Sequence, residues 1–91
     1  MNNKQIAILR HTLGADSRYL KKHWGFRNHF YSSGDSDPNI NNLRDLEKIG
    51  FMTSSKRFGG LTFCATRDGA KAIGFKPYQL SHPGLNNLIG M

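Results

Sequence analysis

A chain of 91 residues has room for one compact domain, and its 37% apolar content supports a packed core rather than general disorder. The single cysteine, Cys64, excludes an internal disulfide and suits a reducing cytoplasm, and no apolar stretch approaches the roughly 20 residues that span a bilayer. Thirteen Lys and Arg against six acids leave a net charge of +7, which suits an anionic partner such as nucleic acid or an acidic protein surface, and less well a membrane.

From Lys4 to Leu13 the residues Ile6, Leu9 and Leu13 recur at helical spacing beside Ile8, with Gly14 as a stop, so the pattern predicts a first helix there. The stretch from Ala15 to Gly34 mixes aromatics with bases and shows no clean period. Leu20, Trp24, Phe26, Phe30 and Tyr31 are expected to supply core from it, with a short helix around Arg27 to Ser32. A second clear helix is predicted over residues 38–49. Asp37 caps it, Pro38 takes the first helical position, Ile40, Leu43, Leu46 and Ile49 form its apolar face, and Gly50 ends it.

Phe51 to Ser55 and Leu61 to Ala65 then read as two strands, since Leu61, Phe63 and Ala65 alternate with Thr62, Cys64 and Thr66. The linker Lys56-Arg57-Phe58-Gly59-Gly60 has glycines for the positive φ of a hairpin turn. Thr66 caps a last helix with Ala70 and Ile73 inward and Gly74 closing it. The expected core joins Leu43, Leu46, Ile49, Phe51, Leu61 and Phe63 to Ile6, Leu9 and Ile73. The domain covers residues 1–75. The tail 76–91, with Tyr78, Leu80, Leu85, Leu88 and Ile89, is expected to pack on the domain or on a second copy in a homodimer, with a frayed terminus as the alternative.

The run LRDLEKIGFM, the Gly-Gly hairpin and LTFCATRDGAKAIG together resemble the second half of a winged-helix domain. In that family a helix ends in Leu-x-x-Leu-x-x-x-Gly-apolar, and wing strands and a Thr-x-x-Gly-x-x-Ala helix follow. The segments ILRHTLG and FRNHF resemble small proteins encoded by phages and prophages. The resemblance covers residues 4 to 75. It implies an α+β fold, a small winged-helix-like domain of three or four helices with a two-stranded wing, in the cytoplasm of a bacterial host. Winged helices bind DNA, RNA or other proteins, so the fold alone does not choose among them.

Charge is unevenly spread. Residues 1–34 carry six cations against Asp16, residues 35–48 hold Asp35, Asp37, Asp45 and Glu47 against Arg44 and Lys48, and the remainder holds five cations against Asp68. By analogy helix 38–49 is the recognition helix, and Asn39, Asn41, Asn42, Arg44 and Lys48 are its candidates for base edges or phosphates. Asp45 and Glu47 on that helix oppose a phosphate backbone, so a merely solvated face stands beside the binding reading. Arg18, Lys21, Lys22 and Arg27 interleave with aromatics, as single-stranded nucleic acid favours, although the rings equally suit a small core. Lys56 and Arg57 at the wing extend the same basic surface.

His23 and His29 are too isolated from other ligands for a structural metal, and Cys64 reads as a small apolar residue of its strand. No phosphate loop, nucleophile elbow or HExxH motif is present, so neither an enzyme nor a cofactor is expected. The leading expectation is a phage regulator that binds DNA. The alternative is an inhibitor that binds a host protein or a defence ribonucleoprotein complex, with a role in virion assembly third.

Overall fold

The computed structural model describes residues 1–15, 20, 24–76 and 80. Their elements run α1 (Asn3–Leu13), β1 (Phe30–Ser32), α2 (Ile40–Lys48), β2 (Met52–Arg57), β3 (Gly60–Ala65) and α3 (Arg67–Ala72). The described residues make a small α+β domain of three helices and one antiparallel sheet in the order β1-β3-β2.

Local chemistry explains each helix. In α1 the Asn2 side chain accepts from the Gln5 N–H while the Gln5 side chain accepts from the Asn2 N–H, a reciprocal cap that satisfies two otherwise free donors. At the other end Ala15 N–H bonds to the Arg10 carbonyl and Gly14 N–H to that of His11, closing the helix through Gly14 at φ +67°. A Cβ at Gly14 would also meet the Phe26 ring 2.5 Å away, so glycine is required there twice over. Ile8, Leu9 and Leu13 carry the inward face, whereas Ile6 is only half-buried. Helix α3 is capped as expected, by the Thr66 hydroxyl accepting from Gly69 N–H at 3.1 Å.

Helix α2 begins later than its capping signal suggests. Asn39 is the N-cap residue, and Pro38 lies in the preceding turn. Asp37 acts one step earlier: its Oδ1 accepts from Asn39 N–H at 2.8 Å, and its carbonyl accepts from Ile40 N–H. Ile40, Leu43 and Leu46 face inward, but Ile49 is 55% exposed. The helix has ended at Lys48 and the chain turns through Gly50 at φ +86°, so Ile49 leaves the helical face before it can continue it.

The largest correction concerns residues 27–32. They hold strand β1 where a helix was expected. Phe30, Tyr31 and Ser32 pair with Phe63, Thr62 and Leu61, so Phe30 and Ser32 share the inward face and Tyr31 points away. Tyr31 is consequently exposed, and Phe26 and Leu20 are exposed as well rather than part of the core, while Trp24 and Phe30 pack against it. Residues 33–39 contain turns and no helix, and α1 packs against α2.

The core is a single cluster. Leu9, Leu13, Leu43, Leu46 and Phe63 are wholly buried at its centre, and Phe51, Leu61 and Ile73 line its margin. Leu80 belongs to the same cluster. Tyr78, Leu85, Leu88 and Ile89 lie outside the described residues. No helix among the described residues is long and apolar enough to cross a membrane.

Candidate nucleic-acid interface

Two elements converge on one open groove of about 390 Å³, lined by Arg44 of α2, Lys56 of β2, Asp35 and Gly34 of the preceding turn, and Gly60 and Leu61 of β3. Helical spacing explains Arg44. Leu43 and Leu46 are held in the core, so Asn41, Arg44, Asp45 and Lys48 fall on the exposed arc of the helix. Register explains Lys56. It pairs with Leu61, so it shares the inward sheet face with Ser54 and Phe63, but near the hairpin tip where the core has run out. Half-buried Leu61 adds apolar lining to the groove.

Asp35 is the groove's one acid among the described lining residues, and its carboxylate lies 3.5 Å from the Arg44 guanidinium. Both side chains are well exposed, so solvent screens the pair and leaves it easily exchanged for another anion. Deeper along the helix, Ser54 donates to Glu47 Oε2 at 2.6 Å. That bond turns Glu47 toward the sheet, so it belongs to the α2–β2 packing rather than to the outward arc.

The hairpin differs from the sequence expectation in a way that matters for the surface. Lys56 and Arg57 are strand residues, and the turn proper is Phe58-Gly59, with φ +52° and +77°. Both values are positive, the requirement of a tight I′ turn whose twist matches its strands. A non-glycine residue there costs about 1–2 kcal/mol. Because successive strand residues face opposite sides, Lys56 and Arg57 do not form one patch: Lys56 enters the groove, and Arg57 joins Tyr31, Thr62 and Cys64 on the outer sheet face. Burial pushes the Cys64 thiol above its ordinary pKa, and the Arg57 guanidinium partly offsets that.

The remaining candidates separate further. Asn42 accepts from the Asn2 side chain at 3.3 Å, which ties it to α1. Asn39 is half-buried at the helix start. Arg27 is half-buried; its guanidinium donates to the His29 carbonyl at 3.3 Å, a local clasp remote in role from the groove. Arg18, Lys21 and Lys22 lie outside the described residues. Thus Arg44 and Lys56 are brought together, Asn41 and Lys48 share the exposed arc of α2, and Arg57, Asn39, Asn42 and Arg27 are directed elsewhere.

Sequence reading placed Asp35 in the acidic segment and Phe58 and Gly60 in the hairpin linker, but named none of them as a site residue. The signal for Phe58 was present: an aromatic before Gly-Gly between two strands must occupy the turn, and a turn cannot face the core. Among the described residues no group of three His, Cys, Asp or Glu side chains could hold a metal ion. No protein-family model, no curated protein and no solved structure matches the chain.

Proposed function

We propose that this chain is a small winged-helix-like protein of phage or prophage origin that binds DNA as a regulator in a bacterial cytoplasm. The observation that carries the reading is the convergence of Arg44 and Lys56, from separate elements, on one open groove. In this reading one DNA backbone strand runs through the groove, with a phosphate displacing Asp35 from Arg44. Helix α2 lies on the major-groove side of that strand, where Asn41 can pair bidentately with adenine, and the hairpin lies on the minor-groove side. The progression from α2 through the hairpin to the Thr66-capped helix supports the winged-helix assignment, and the +7 charge supplies long-range attraction.

Phosphate contacts release counterions, so log affinity falls linearly with log salt, by about one slope unit per contact. Arg44→Ala and Lys56→Ala should each lower affinity and flatten that slope by about one unit, whatever the DNA sequence. Asn41→Ala should leave the slope unchanged and relax base preference by roughly 1–3 kcal/mol. Wild-type affinity weaker than the non-specific range of roughly 10⁻⁴ to 10⁻⁶ M would refute the reading.

Asp45 on the exposed arc of α2 and exposed Ile49 at its end favour a second reading, an inhibitor docked on a host protein or defence ribonucleoprotein complex. That reading expects a host complex that survives nuclease treatment and no measurable affinity for free DNA.

A further inference from the structure

Phe58 is conspicuous for what it does not do. It stands at the first position of the β2–β3 turn at φ +52°, where glycine and asparagine are favoured, and it is 92% exposed. The ring gives nothing to the core, and the backbone conformation it must adopt works against folding. The tip is nevertheless firmly buttressed. Tyr31 Oη donates to the Phe58 carbonyl at 3.2 Å, and at Gly60 the Ser32 carbonyl and the Tyr31 hydroxyl occupy the space of a Cβ, so β1 closes tightly on the hairpin. The flanking cations are equally specific in placement: Lys56 on one face of the hairpin and Arg57 on the other. An aromatic apex with a cation on each flank matches the cross-section of a DNA minor groove, which has phosphates on both walls and base edges on its floor.

We propose that Phe58 is a wedge that enters the minor groove, inserts between two stacked base pairs and kinks the duplex. The proposal rests on the DNA-binding reading above and deepens it by naming the feature of DNA that is recognised, a deformable step. Inserting an apolar side chain takes the ring out of water and stacks it on a base, and the kink widens the groove so that Lys56 and Arg57 meet opposite backbones. The unstacking required is smallest at flexible pyrimidine–purine steps. Selectivity therefore follows from deformability, with no hydrogen bond to a base needed from the hairpin.

The test uses two duplexes of one sequence, fluorescently labelled at both ends, one of them carrying a single central mismatch that is already partly unstacked. Wild-type protein should bind the mismatched duplex roughly tenfold more tightly and shorten the end-to-end distance in both. Phe58→Gly suits the positive φ and should remain folded by circular dichroism. It should keep the salt slope but lose both the mismatch preference and the shortening, and Phe58→Trp should retain them. If wild-type protein binds with the expected salt slope but shows neither effect, or if Phe58→Gly keeps both, the wedge is wrong and the DNA-binding reading stands. If wild-type protein binds neither duplex, both fall together.

Discussion

The side-chain amide of Asn28 pairs with both backbone groups of Ala65: Oδ1 accepts from the Ala65 N–H at 2.7 Å, and Nδ2 donates to the Ala65 carbonyl at 2.9 Å. Strand β1 starts at Phe30, opposite Phe63, so in the same register the amide of Asn28 stands in for the backbone and extends the ladder beyond the strand. Asn28→Ala removes the partner of two groups on the central strand. Leaving buried groups unpaired costs about 1–3 kcal/mol, and urea unfolding should register a loss in that range. A change below about 0.5 kcal/mol, the size typical of a surface substitution, would mean that Ala65 is satisfied without the amide.

Helix α2 offers an internal contrast. Leu46 is wholly buried and Ile49 is largely exposed three residues later. Leu46→Ala should destabilise by about 2–5 kcal/mol, the range for a buried leucine truncation. Ile49→Ala should stay within about 0.5 kcal/mol. Equal losses in paired unfolding curves would show that the apolar face continues past the helix end.

Phe58 should reveal the cost of its own conformation. Phe58→Asn introduces a residue that tolerates positive φ without altering the rest of the turn. It is expected to stabilise by about 1 kcal/mol and raise the melting temperature by roughly 4–8 °C for a domain of this size. A lower melting temperature would show that the ring packs somewhere after all.

Cys64 should respond to pH. Its folded-state pKa is raised by burial, so the contribution to stability is full below the ordinary thiol range and is lost as pH rises through the folded value. Alkylation of the native protein should therefore show its rate midpoint at higher pH than the same thiol in the urea-unfolded chain. Coincident midpoints would place the thiol in solvent.

Much of the fold was legible because α1, α2 and the hairpin announce themselves through periods of 3.6 and 2 over six or more residues. Strand β1 was not. Three residues cannot display a period, and Phe30, Tyr31 and Ser32 owe their conformation to partners on β3 far along the chain. The site divided in the same manner. Helical spacing was enough to expose Asn41, Arg44 and Lys48, whereas the pairing of Lys56 with Leu61, which turns it away from Arg57, depends on a turn set one residue from where the glycines suggest. Asn42 and Arg27 looked free as residue types, and only the folded chain shows the contacts to Asn2 and His29 that engage them.

The sheet order has a kinetic consequence. Strands β2 and β3 meet through a two-residue turn, so their pairing is local and can form on the timescale of roughly 1–10 μs typical of hairpins. Strand β1 reaches β3 only after the chain has closed a loop over α2 and β2, and that ordering entropy must be met before the contact returns anything. Strand β1 is thus expected to dock late and open first, exchanging its amide hydrogens faster than the hairpin does. Because Tyr31 on this strand braces the carbonyl of Phe58, each opening of β1 also releases the tip. The stiffness of the hairpin apex is then governed by the least persistent strand in the sheet.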